Sequence, residues 1–288
     1  MIERKTLKIN AREAMAQTRP RPFWVTLAVC AVLMALSVLS MFVSGQWDVL
    51  REFYTTMNYE VILEGEAISF FAWLLDLALS MMIMVLSVGY ALYALKVHRR
   101  ESASFGTVLD AFGVFFRAVG ISYLRNLIIG AVFIVAYIAI DTALIFRATP
   151  NPTMQPSDIL WMTLIAMAIA AIPALIVRYS YSQSIFIMLD NPQLGVMRCL
   201  MLSRAAMRGH KWEFFQLELS FLGWMLLSVV PFVGFWVMPY KTVTQAGYYD
   251  ALMPDFMARM QTMPVFTRSG EPPAYHVPGE DSDDSEDE

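Results

Sequence analysis

Apolar residues gather into long runs along this chain. Residues 23–44 form the first run, with no charged side chain inside it. A bilayer core requires about 20 apolar residues per helix, because no water is present to satisfy a bare backbone amide. The run exceeds the roughly 7–15 apolar residues of a signal-peptide core, so it predicts a retained span. Residues 68–95 form a second run, broken only by Asp76. A third covers 119–146 and contains Arg125 and Asp141, and a fourth covers 159–189 with Pro173 and Arg178. A further apolar region, 214–240, holds Glu218, Pro231 and Pro239. Pro231 and Gly234 together signal a turn, which divides the region into spans at 212–230 and 235–252. One tilted helix is the alternative for this region. The 235–252 segment is also interrupted by Lys241, Thr242, Thr244 and Gln245, so an interfacial segment after Pro239 is its alternative. The pattern thus predicts an all-α transmembrane helix bundle over 23–252 with six spans, alternatively five.

Composition sharpens the class. The chain has 288 residues, 57% of them apolar and 16% charged, against roughly 45–50% and about 25% in an ordinary soluble domain. That balance excludes a soluble enzyme domain and a nucleic-acid module. Cys30 and Cys199 are too few for a disulfide framework or a cysteine metal cage. The net charge of −4 hides an asymmetry, because 271–288 holds 8 acids and no Lys or Arg. The preceding 270 residues carry 21 basic and 17 acidic side chains.

Basic residues also orient the bundle. Six precede Phe23, four lie in 96–117 and four in 191–211, whereas the two opposite connections hold only Arg51 and Arg147. The positive-inside rule then puts the N-terminus on the cytoplasmic side of an inner or plasma membrane. Trp24, Trp47, Trp161 and Trp212 fall near predicted span ends, where interfacial aromatics belong.

Three polar segments flank the spans. Residues 2–17 predict an amphipathic helix with Ile2, Leu7, Ala11, Ala14 and Met15 on one face, suited to the anionic leaflet surface, within a cytoplasmic segment 1–22. The acidic loop 45–67 lacks the spacing of a calcium loop and reads as solvated. Residues 253–288 read as a disordered acidic tail.

No catalytic constellation is visible. His98, His210 and His276 are dispersed, and His-Glu-x-x-His, Gly-x-Ser-x-Gly and phosphate-binding glycine loops are absent from the sequence. The expectation is a non-enzyme that needs no cofactor or metal. Ionisable side chains inside spans are costly and so require an explanation. Arg125, Arg178 and Glu218 are placed in the cytoplasmic third of the membrane by their positions along the spans, and Asp76 and Asp141 in the outer third. Pairing of Glu218 with Arg178 or Arg125, or snorkelling of the arginines, is the structural explanation. A polar path for an ion or small solute is the functional one.

The second half carries a recognisable order of residues: Tyr181, Leu189-Asp190-Asn191-Pro192, Ser203, Gly209-His210-Lys211, Gly223-Trp224 and Pro239-Tyr240. This order resembles the bacterial integral-membrane family known as domain of unknown function 975. The family pattern has Pro-Gly where this chain has Pro173-Ala174, and Ser-Lys where it has Ser203-Arg204. The resemblance implies a multi-helix membrane protein and no known reaction. Asp190-Asn191-Pro192 reads as the end of the fourth helix, followed by a short basic helix that Gly209 closes. The expected partners are membrane lipids, or a membrane or cytoplasmic protein, met by the basic loops. A small-solute transporter or channel using the intramembrane charges is the alternative.

Overall fold

The computed structural model describes residues 3–56, 70–148, 156–228 and 233–262. The described residues are helical, with no strand among them. In chain order the helices are α1 (Arg4–Gln17), α2 (Pro22–Val43), α3 (Gln46–Thr56), α4 (Phe70–His98), α5 (Phe105–Leu109), a 3-10 turn (Asp110–Val114) and α6 (Phe115–Ala148). There follow α7 (Pro156–Ser180), α8 (Ser184–Asp190), α9 (Val196–Ala206), α10 (Lys211–Leu219), α11 (Leu222–Leu227) and α12 (Gly234–Thr262). Four helical stretches are long and apolar enough to cross a membrane: Pro22–Val43, Phe70–His98, Phe105–Arg147 and Asp158–Asp190. Their large side chains stand largely exposed, among them Phe70, Phe116, Val135 and Ile172.

Six spans were expected, and the region after 211 differs from that expectation. Residues 212–230 do not form one helix: α10 and α11 are separated at Ser220-Phe221. The Ser220 hydroxyl donates to the Leu217 carbonyl at 2.5 Å, a side-chain bond that competes with the helical ladder. Residues 229–232, including Pro231, lie outside the described residues. After them α12 runs on past 252 to Thr262, so 253–262 is helix and not tail. Buried Leu252, Met253 and Phe256 continue its apolar face. Residues 46–56 of the expected loop 45–67 form helix α3, while 57–67 and the acidic segment 263–288 lie outside the described residues.

The chain divides into two compact units. The first comprises Glu3–Val119 and Phe221–Gly247. Here α1 buries Leu7, Ala11 and Ala14 and packs on α4, while Arg4, Lys5, Arg12, Arg19 and Arg21 stay exposed. The apolar face expected to meet the leaflet therefore meets protein. Helices α2 and α4 pack along one another, joined by a hydrogen bond of 2.8 Å between the hydroxyls of Thr26 and Tyr90. Gly89 lets α4 meet α5 closely, since a Cβ there would lie 2.0 Å from the Val108 carbonyl oxygen.

The second unit is built on Gly120–Ser220 and the chain from Tyr248. The fourth apolar stretch is not one continuous helix: turns at 181–183 separate α7 from α8. Ser203, fully buried on α9, closes the gap. Its hydroxyl donates to the Ser180 carbonyl at 3.0 Å and accepts from the Gln183 N–H at 3.2 Å.

Candidate functional site

In the first unit α1 lies across aromatic rings. Lys8 Nζ is 4.3 Å from the centroid of Phe221, and Arg12 Cζ is 5.2 Å from that of Tyr240. Positions four apart share one helix face, so a single face of α1 supplies both cations. The two rings meet edge to face with centroids 5.2 Å apart. Each cation–ring contact contributes about 0.5–1 kcal/mol when exposed. Burial, together with the charges of Arg12 and Arg4, lowers the Lys8 ammonium pKa from its ordinary value.

One turn further along α1, Met15 and Ala16 border a cavity of about 520 Å³. Its walls include Arg12 and Arg21, with Phe23, Trp224, Trp236 and Tyr240 as the apolar part. Phe23 packs on Trp236 with ring centroids 5.4 Å apart. Both arginines are exposed, and neither belongs to an ion pair among the described residues. The Tyr240 hydroxyl is buried and has no hydrogen-bond partner among the described residues. Pro22, at the first turn of α2, also lines the cavity, which therefore borders the start of an apolar stretch. Two guanidinium groups beside an aromatic wall can hold an anion that carries an apolar body.

The motif residues separate between the units. Trp224, Pro239 and Tyr240 line the cavity, with Gly223 exposed on α11. Tyr181, Asp190, Asn191, Pro192, Ser203, Gly209 and Lys211 belong to the second unit, where they shape turns. The Tyr181 carbonyl accepts from the Ser184 hydroxyl at 2.8 Å. Tyr249 donates to the Asp190 carboxylate at 2.8 Å and stacks on Phe186. The Asn191 N–H caps α8 on the Ile187 carbonyl, and Pro192 follows in an exposed turn. Gly209, at φ +89°, turns the chain between α9 and α10, where a side chain would strain the backbone. Lys211 then opens α10, and Tyr248 donates to the neighbouring His210 carbonyl at 3.2 Å.

The ionisable residues of the spans also fall into separate places. Asp76 accepts a hydrogen bond from Ser40, tying α4 to α2. In the second unit Arg125, Arg178, Tyr179 and Glu218 form one cluster: Glu218 is hydrogen-bonded to Tyr179, and Arg178 acts electrostatically on both Tyr179 and Arg125. Asp141 stands apart, with one carboxylate oxygen buried and unpartnered among the described residues.

The family described as "Protein of unknown function (DUF975)" matches residues 1–254. The chain belongs to that family. No curated protein and no solved structure matches it. The family match takes in α1, the cavity and the turn-forming residues of both units, and stops short of the acidic segment.

The aromatic and basic residues of this site are separate features of the sequence: Arg12 and Arg21 are two of the six basic residues before Phe23, and Trp224 and Tyr240 are motif positions. More than 200 residues of chain separate the two sets, and no periodicity connects positions so far apart.

Proposed function

We propose that the protein is a non-enzymatic, multi-pass component of the bacterial plasma membrane that binds anionic lipid through basic helices on its cytoplasmic side. In this reading α10–α11 and α12 supply a fifth and a sixth crossing, and α1 starts in the cytoplasm. The observation that carries it is the way the two surface helices use their faces. Each buries a stripe of small or apolar residues in its own unit and leaves its basic residues outward. On α1 the outward residues include Arg4, Lys5 and Arg12. On α9 and the turn after it they are Arg198, Arg204 and Arg208, beside exposed Met197 and Met201. Met and Arg side by side suit the headgroup level of a leaflet, where each basic residue near an anionic surface contributes about 1 kcal/mol.

The test is lipid retention. Protein reconstituted in nanodiscs of phosphatidylcholine and phosphatidylglycerol should retain phosphatidylglycerol above its input fraction, and the excess should shrink as salt rises. Replacing Arg198, Arg204 and Arg208 together by Gln should reduce the excess. A retained composition equal to the input would contradict the reading.

Transport is the second reading, and Asp141 is the observation that favours it. A buried carboxylate oxygen with no partner among the described residues is expensive in hydrocarbon, and a proton or cation would supply the missing partner. Asp76 and Glu218, by contrast, are both hydrogen-bonded to neighbouring side chains.

A further inference from the structure

We infer that the cavity between α1, α2 and α12 is a site for a single anionic phospholipid, its phosphate held by Arg12 and Arg21 and an acyl chain lying along Trp236 and Trp224. The inference rests on the anionic-lipid reading above and deepens it, naming one site and one occupant.

Four features of the cavity converge on that occupant. Its volume of about 520 Å³ falls in the range of ligand sites, roughly 300–1,000 Å³. Among the described residues its two charged lining residues are both arginines, and no carboxylate lines it. The remaining wall is apolar and aromatic, so a soluble anion would satisfy the arginines and leave that wall wet. A ligand with a phosphate at one end and hydrocarbon at the other satisfies both parts. The cavity is also lined by Pro22 and Phe23, which begin an apolar stretch, and the end of such a stretch is the depth at which a phosphate and the first carbons of an acyl chain lie.

Arg12 is suited to this use. Tyr240 lies under its guanidinium, which fixes the planar group and leaves its edge donors for a phosphate. The buried Tyr240 hydroxyl, unpartnered among the described residues, supplies a further polar group in the same wall.

Native mass spectrometry of the full chain, released from nanodiscs of equal phosphatidylglycerol and phosphatidylcholine, reads the site directly. One phosphatidylglycerol should survive the delipidation that strips the rest. Arg12→Gln and Arg21→Gln should each lower its retention about tenfold, the cost of one charge-assisted hydrogen bond. Ala16→Trp, at an exposed position of α1 bordering the cavity, should remove the lipid while leaving every charge in place. A melting temperature like that of the wild type shows that each variant is folded. Equal retention of phosphatidylcholine, or a lipid retained unchanged in all three variants, would overturn the site. So would displacement of the lipid by millimolar inorganic phosphate alone, since the cavity would then be a soluble-anion site. If the site is overturned in one of these ways while the wild-type nanodisc still collects excess phosphatidylglycerol, the general reading survives and only the site falls. If the wild type collects none, both fall.

Discussion

Ser203 satisfies two backbone groups with one hydroxyl. The break at 181–183 leaves the Ser180 carbonyl and the Gln183 N–H without a helical partner, and both find Ser203. Ser203→Ala removes the donor and the acceptor together while changing little volume. Each buried group left unsatisfied costs about 1–3 kcal/mol, so the variant should lose a few kcal/mol and melt at a clearly lower temperature in detergent. A melting temperature within a degree or so of the wild type would show that the break closes without this hydroxyl. Gly89 makes a complementary prediction in the first unit. A methyl group there meets the backbone of Val108, which has no rotamer to retreat to. Gly89→Ala should therefore destabilise by about 1–3 kcal/mol, read by the same thermal assay. The sequence singled out Ser203 only through a family resemblance, because the hydroxyl's two partners lie about twenty positions away. Gly89 sits inside an apolar run that reads as helix with or without it.

Helices α2, α4, α6 and α7 were legible because hydrophobicity alone defines them; the ends of α2, α4 and α6 lie within four residues of the expected limits, whereas α7 stops at Ser180, before the expected 189, at the break over 181–183. The division of 211–228 into α10 and α11 was not legible, since Ser220 and Phe221 are ordinary residues in an apolar stretch. A helix here depends on where the Ser220 hydroxyl bonds and on Phe221 being 1% exposed, neither of which is local sequence information. The amphipathic face of α1 was legible, but not what would cover it. The contact between Lys8 and Phe221 can be measured by a double-substitution cycle with Lys8→Ala and Phe221→Ala. A coupling of about 0.5–1 kcal/mol is expected, and simple additivity would remove the ring contact from the account. A second cycle, with Glu218→Gln and Arg178→Gln, tests the second unit's charge cluster. Coupling above about 0.5 kcal/mol would establish that the carboxylate and the guanidinium support each other, and additivity would leave Tyr179 as the partner that matters.

At the scale of the whole molecule, composition made a helical chain with several helices long and apolar enough to cross a membrane legible. The cavity was beyond reach because it joins α1 to residues after 220, and only folding makes them neighbours. We propose that the protein works from its basic helices and that its intramembrane charges hold the bundle together. Labelling of single cysteines by a water-soluble thiol reagent, applied from each side of the membrane, tests both parts at once. Cys30 and Cys199 would first be replaced, and cysteines then placed singly at positions 5, 76, 125, 141, 178, 204 and 218. The account predicts rapid labelling at 5 and 204 from the cytoplasmic side only, with 76 and 141 protected from both sides. Labelling that continues from one face through 141 and 76 would reveal an aqueous path, and would contradict the account in favour of transport.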